Sequence, residues 1–426
     1  MYIKKVKIRN IRSINNFNME FDSLAGWHVI IGDNGSGKSS IIRAIALALV
    51  GQNDAQALSS FEDFSNWLHP NEKKGTISID AIRDNDFDKP KYTMKKDPIA
   101  ISTISLERVP GNGKVTINGK VTPDNALWGK HANSGWFAAA YGPFRRLRGG
   151  VEVFAHLISS RPRLASCLTA FRDDVALTQL ISWLKDLALD APKKATAKST
   201  LENIITFVNI AKLLPGDAVL LDDIDSDGIK LRDSNGVSVS LYEMSDGYRS
   251  VLSMTLDIMR FLIDTYGTER VFEQKEKGII DLPGVVLIDE VDAHLHPTWQ
   301  TRIGHWFIKY FPNIQFIVTT HSPLVCRASE NGSIWRLGIP GSEYKSGEVT
   351  GTDKNRLIYG NILDAYGTDV FGKSITISDE GNAKRKEMGE LNIKSILGEE
   401  IDKEKLDNLK QIFPTEKLKL NDRVEE

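Results

Sequence analysis

The chain is poor in cysteine, with Cys167 and Cys326 the only two in 426 residues. Two thiols make no disulfide framework, so a reducing compartment is expected, and with it a cytoplasmic location. Long apolar runs are missing as well. No stretch approaches the roughly 18 residues that a membrane-spanning helix needs, so no membrane role is expected. The first residues, MYIKKVKIRN, hold no apolar segment of the secretory kind. Charge of one sign is not in excess either. The 54 Lys and Arg nearly balance the 56 Asp and Glu, for a formal net charge of −2. The molecule as a whole is therefore not a general polyanion binder, although a local basic patch stays open. There is no internal repeat and no low-complexity tract.

What is present is an ordinary globular composition, 41% hydrophobic and 26% charged. The length allows one large α/β domain with insertions, or two to three smaller ones. Residues 2–9 alternate apolar and basic and predict a half-exposed strand, with Phe17 to Phe21 as its hairpin partner. Trp27 to Ile31 is a short apolar strand leading into a glycine loop. The segment Ser39 to Val50 is apolar nearly all round, which predicts a helix buried against a sheet. Residues 75–120 read as an antiparallel side sheet (TISIDAI, YTM, STISLERV, KVTING). Residues 150–215 turn helical, with Leu177, Leu180, Ile181, Leu184 and Leu187 on one face and a polar joint at 191–200. Ile229 to Leu241 predicts a hairpin around Ser234-Asn235-Gly236. GVVLI (284–288) is fully apolar and IQFIV (314–318) is apolar but for Gln315, as central parallel strands are. Beyond Pro340 the composition shifts to glycine-rich loops and charged helices.

The first chemical signal is Gly32-Asp33-Asn34-Gly35-Ser36-Gly37-Lys38-Ser39, which fits G-x-x-x-x-G-K-[ST] between an apolar strand and a helix. Residues Asn34, Gly35, Ser36, Gly37, Lys38, Ser39 and Ser40 are therefore expected to bind ATP. Backbone amides curl around the phosphates, Lys38 supplies charge and the Ser39 hydroxyl ligates Mg²⁺. The second is Asp289-Glu290, closing the strand GVVLI. Asp289 is expected to hold Mg²⁺ and Glu290 to act as general base on the attacking water. The third is His321, after the strand IQFIV, placed to sense the γ-phosphate. The fourth is MSDGYRSVLSM (244–254), where Ser245-Asp246-Gly247 opens a helix and offers a nest of amide donors to an anion.

The order of these parts resembles that of the ABC-type ATPases, in their RecF/SMC-like and OLD-like branch. The resemblance implies an α/β fold, a P-loop ABC-type head with a central mostly parallel sheet, an antiparallel side sheet and a short helical insertion. It implies parts at 1–149 and 226–340 for the head, 150–225 for the insertion and 341–426 for a C-terminal appendage. It further implies that Ser245 and Gly247 serve the ATP held by a second copy, in a homodimer or higher homo-oligomer, with Asp292 at the seam. LIDEVDAHLHPTWQ, TTHSP, SDGYRS and GTDKNRLIYG are similar to the ATPases of the anti-phage Septu systems and their retron-associated relatives. That likeness implies a separate HNH-type nuclease as partner and leaves DNA contact through the complex open.

Three departures accompany it. The insertion lacks sustained heptads, which excludes a long coiled coil. The region 135–147, where the family carries a glutamine loop, has no glutamine; Tyr141, Arg145 and Arg146 stand there, facing phosphate or nucleic acid, or solvated on a loop. Residues 340–426 show neither a Toprim arrangement, Asp379-Glu380 notwithstanding, nor an HNH cluster, and His294 and His296 belong to the loop after the acid pair. The sequence thus predicts an ATPase with no nuclease of its own. Two other readings stay open: a RecF-like DNA-repair ATPase that clamps DNA directly, and a static scaffold, against which Glu290 argues.

Overall fold

The computed structural model describes residues 1–84, 86–88, 99–111, 113–122, 136–145, 160–172, 178–214, 218–225, 228–233, 235–338, 346–368, 370, 379–398 and 400–413. It divides into two compact units, Met1–Gly360 and Asn361–Glu426.

The first unit is built on three sheets. Strands β1 (Tyr2–Ile11), β2 (Ile14–Glu20), β4 (Lys74–Ile82), β5 (Ile99–Arg108) and β6 (Val115–Thr122) form an antiparallel sheet in the order β2-β1-β4-β5-β6. Their period-two alternation puts Ile77, Ile79 and Ala81 inside and Thr76, Ser78 and Asp80 half out. Strands β3 (Gly26–Gly32), β7 (Ala138–Tyr141), β11 (Gly284–Ile288), β12 (Ile314–Thr320), β13 (Ile334–Leu337) and β14 (Gly347–Glu348) form the second sheet, ordered β14-β13-β3-β12-β11-β7. All its pairings are parallel except that of β13 with β14. GVVLI and IQFIV are buried along their whole length, as strands covered on both faces must be. The third sheet is a small meander of β8 (Val219–Asp225), β9 (Gly228–Arg232) and β10 (Ser238–Ser240). Asp233 caps its turn by accepting from the amides of Asn235 and Val237, at 2.9 and 2.8 Å.

The helix Lys38–Val50 explains its own composition. It packs on β1, β4 and β5 of the antiparallel sheet and on β3, β7, β11 and β12 of the parallel one. Lying between two sheets, it has no face for solvent, and 11 of its 13 residues are buried. One apolar cluster runs from Ile3 and Ile77 through Ile41 and Ile45 to Leu287 and Ile317. Its backbone end is tied down by Ser102, whose hydroxyl donates to the Ala48 carbonyl at 2.8 Å. A buried glutamine bridges the sheets: Gln315 accepts from the Ile3 amide at 2.7 Å and donates to the Ile3 carbonyl at 2.9 Å. An amide satisfied at both ends fixes register where an apolar side chain could slide.

The helical insertion appears as Thr178–Asp190 and Ala195–Ile210. Leu180, Ile181 and Leu184 are buried as their spacing predicts, Leu187 is half-buried, and Leu177 lies outside the described residues. The polar joint is shorter than expected, because the second helix starts at Ala195, within reach of its own i, i+4 pair Lys198–Glu202. The tripeptide YTM (92–94) also lies outside the described residues. Strand β8 was not anticipated: VLLDDID carries three acidic residues, which break the apolar alternation.

In the second unit, Asp379–Ile396 and Lys403–Ile412 pack together over a small core of Met388, Leu406 and Leu409. Among the described residues, no helix is long and apolar enough to cross a membrane.

Candidate active site

In a parallel sheet every strand delivers its C-terminus to the same edge, and the loops there form the site. The ends of β3, β11 and β12 carry the P-loop, Asp289-Glu290 and His321 respectively. Neighbouring strands at this edge therefore present all three expected groups side by side.

The P-loop turns through Gly35 and Gly37, with φ of 79° and 99°, the left-handed region that glycine enters without strain. Gly37 is the N-cap of the helix, and no acidic residue stands in the first turn. The positive end of the helix dipole is thus left for an outside anion. Asn34 and Gly35 are exposed at the tip, Ser39 is half-buried, and Ser36, Lys38 and Ser40 are buried. The Lys38 ammonium donates to the carbonyls of Gly32 and Asp33, at 2.8 and 2.9 Å, which aims it across the loop. Burial lowers its pKa, while Asp289, Glu290, Asp33 and Asp292 pull it up, so the ammonium faces the acid pair. The Ser36 hydroxyl is buried without a protein partner, and so is one oxygen of Asp292. A buried polar atom of that kind fits a ligand that supplies its hydrogen bond. The loop accordingly fits a nucleotide phosphate chain. Ser39 and Asp289 are two oxygen donors, which suits Mg²⁺, an ion that keeps several waters.

The acid pair is held by a residue that the sequence reading did not single out. The Thr319 hydroxyl donates to the Asp289 carboxylate, and it accepts from the Glu290 amide at 2.7 Å. Asp289 is 2% exposed, so this donor stands in for lost water. Glu290 has φ 47° and is half-buried, turned out of the strand direction. A non-glycine residue there is strained, and such strain concentrates at working sites. The signal for Thr319 was the threonine pair that closes the mostly apolar strand IQFIVTT. His321 follows and is exposed, free to meet a ligand.

Two of the residues standing where a glutamine was expected, Tyr141 and Arg145, are buried and bonded to protein partners. Tyr141 is buried and donates to Asp257 at 3.0 Å. Asp257 in turn pairs with Arg260 at 3.1 Å. Arg145 is buried too, bonded to Ser250 and to backbone carbonyls around the acid pair. AAAY forms strand β7, which the sequence reading did not anticipate, and only the fold reveals that the arginine points inward. Arg146 lies outside the described residues.

Ser245 and Gly247 line a cavity to which the P-loop contributes no residue. Ser245 is the exposed N-cap of the helix Asp246–Tyr266, and its side chain makes no capping bond to that helix. Gly247 is buried because the loop after the acid pair presses on it: a Cβ there would sit 2.5 Å from the His294 carbonyl oxygen. With Tyr248, Val251, His294, Leu295, His296 and Trp299 they line this cavity of about 410 Å³. Its wall is stiffened where the Trp299 indole donates to the Tyr248 hydroxyl at 2.8 Å.

Comparison with known proteins agrees with this layout. A family described as "AAA domain, putative AbiEii toxin, Type IV TA system" matches residues 140–327, and a second AAA-domain family matches residues 5–133. The Septu protein PtuA of Bacillus mycoides (strain KBAB4) is 28% identical over 342 residues, covering 78% of this chain and 40% of that protein. The chain is thus similar to AAA-domain families in two separate parts and to PtuA over most of its length. The Retron Ec83 probable ATPase of Escherichia coli is 43% identical over 105 residues, 25% of this chain and 18% of that protein. The chain thus spans less than half the length of these curated relatives. Among solved structures, an SMC head bound to the C-winged helix domain of ScpA aligns at 16% identity and TM-score 0.46, covering 83% of this chain and 98% of that one. Two AAA matches on either side of 134–139 place the P-loop in one and the acid pair and Ser245 in the other. The fold is α/β: a mostly parallel sheet, with the P-loop at the end of β3, packed through the helix Lys38–Val50 on an antiparallel sheet.

Proposed function

We propose that this chain binds and hydrolyses ATP, closes as a sandwich of two copies around two nucleotides, and in that form regulates a separate HNH-type nuclease in anti-phage defence, in the cytoplasm. The observation that carries the reading is the split of the expected parts. The P-loop, Asp289, Glu290 and His321 gather at one sheet edge, while Ser245 and Gly247 line a different cavity. A helix start whose N-cap hydroxyl makes no capping bond, in a cavity lined by no P-loop residue, suits a ligand carried by a second copy. Similarity to a Septu protein supports the defence role; the nuclease partner rests on the sequence resemblance alone.

Within each site, Lys38 and the loop amides hold the β- and γ-phosphates. Ser39 and Asp289 would hold Mg²⁺, which supplies charge neutralisation on the phosphate oxygens when bound. Glu290 takes the proton of the water that attacks the γ-phosphorus, and ADP leaves with the old bridging oxygen. His321 and the partner's nest read whether the γ-phosphate is still there.

Mass measurement in solution tests the reading. Glu290→Gln should bind ATP, hydrolyse it at least about a hundredfold more slowly, and accumulate a species of twice the mass. Glu290→Gln combined with Ser245→Arg should bind ATP and stay at its ATP-free mass, since a bulky cation fills the nest. Equal ATP-driven association by both proteins would defeat the sandwich.

A further inference from the structure

Arg145 is a buried guanidinium bonded to four neutral acceptors. Its Nε donates to the Ser250 hydroxyl at 2.8 Å, on the first turns of the helix Asp246–Tyr266. Its two terminal nitrogens donate to the carbonyls of Gly142, Asp289 and Glu290, at 3.1, 2.8 and 3.1 Å. None of these partners carries charge, although Asp289, Asp292 and Glu290 stand near enough to raise its pKa against burial, leaving it at about 10 and protonated at neutral pH. An apolar side chain would fill such a place more cheaply, so a retained buried cation calls for a role.

The placement supplies one. Residues Asp289 and Glu290 form the turn that would meet nucleotide and water. Ser250 lies five positions after Ser245, on the helix whose start would meet the other copy's nucleotide. The guanidinium is the rigid plane between them, holding the acid-pair turn by its backbone and the helix by a hydroxyl. Slack elsewhere is small. Gly247 already touches the His294 carbonyl with no room for a methyl group, and Tyr141 pins the same helix lower down through Asp257. Strand β7 carries both Tyr141 and, just beyond its end, Arg145, and it pairs directly with β11.

We propose that Arg145 is a positioning residue that couples the acid-pair turn to the Ser245–Gly247 nest, so that nucleotide held in one copy's P-loop sets the fit of that copy's nest to the nucleotide of the second copy. The coupling rests on the sandwich reading. Planar geometry matters to it: a lysine keeps the charge but cannot span three carbonyls and a hydroxyl at once.

The test uses the full chain in the Glu290→Gln background, with fluorescent ATP binding and ATP-driven self-association measured separately. Steady-state kinetics are measured on the same substitutions with Glu290 intact. Arg145→Met and Arg145→Lys should bind ATP within about threefold of the parent yet self-associate at least about tenfold more weakly, with kcat lowered by a similar factor and KM nearly unchanged. Ser250→Ala, which removes one bond and no charge, should move the same readouts in the same direction by about threefold. Should Arg145→Met fail to fold, Ser250→Ala and Arg145→Lys carry the test. The proposal is overturned if Ser250→Ala and Arg145→Lys associate as tightly as the parent, or if loss of association tracks loss of ATP binding. If the parent itself shows no ATP-driven association, the sandwich reading falls first and the coupling falls with it.

Discussion

Thr319 holds both halves of the acid pair, by donating to the Asp289 carboxylate and accepting from the Glu290 amide. Thr319→Val keeps shape but strands a buried carboxylate oxygen and an amide. The expected cost is about 1–3 kcal/mol of stability, read from urea unfolding. Because Glu290 then loses its fixed turn, kcat should fall about tenfold or more while ATP affinity holds; an unchanged kcat would make Thr319 a structural residue only. Lys38→Ala should abolish measurable ATP binding by calorimetry, and normal affinity there would remove the P-loop assignment. At this scale the sequence was uneven. Lys38, Ser39, Asp289 and Glu290 were legible because a short motif places each one against a strand or helix end. Thr319 and Arg145 were not, since Thr319 touches residues 29 to 30 away and Arg145, apart from the Gly142 carbonyl, touches residues 105 to 145 away. An arginine in a loop gives no local sign of whether it turns to water or to carbonyls.

Among the elements, β3 carries a titratable group that answers to pH. His28 is 1% exposed, between the Ser333 hydroxyl at 2.9 Å and the Leu24 carbonyl at 3.3 Å. Ser333 itself accepts from the Trp335 indole, so its hydroxyl proton goes to Nδ1, and Nε2–H donates to Leu24. This network suits a neutral ring. Burial lowers the His28 pKa from 6.5 to about 4, against which the Leu24 bond pulls up. A depressed folded pKa means that the unfolded chain takes up the proton first as pH falls. Stability from this group is present above pH 6.5 and lost as pH falls toward 4, by about 2–3 kcal/mol. His28→Asn should show a shallower decline of its urea midpoint across that window; parallel curves would refute the shift. Elements were mostly legible from periodicity, as with β1, β4, β11 and β12. The shortened joint before Ala195 and the acidic strand β8 were missed, because neither has an apolar pattern and both are fixed by what they pack on.

For the whole molecule, balanced charge makes a further distinction. The head reading expects weak duplex-DNA affinity that salt erodes and ATP does not raise. A gain of tenfold or more on adding ATP at about 150 mM salt would favour a DNA clamp instead. Fold class was legible in the sequence because the order of strand, loop, helix, acid pair and histidine is itself the architecture. The role proposed for Ser245 and Gly247 comes from resemblance alone, since the cavity they line includes no P-loop residue.

The helix Lys38–Val50, enclosed by two sheets, cannot fray by itself. Its amides should exchange with deuterium only when the entire head opens, at the slowest rates in the protein. Ligand gripping its first turn would then protect distant strands such as β5 as strongly as the loop it touches. Saturating nucleotide should slow exchange in both by one common factor.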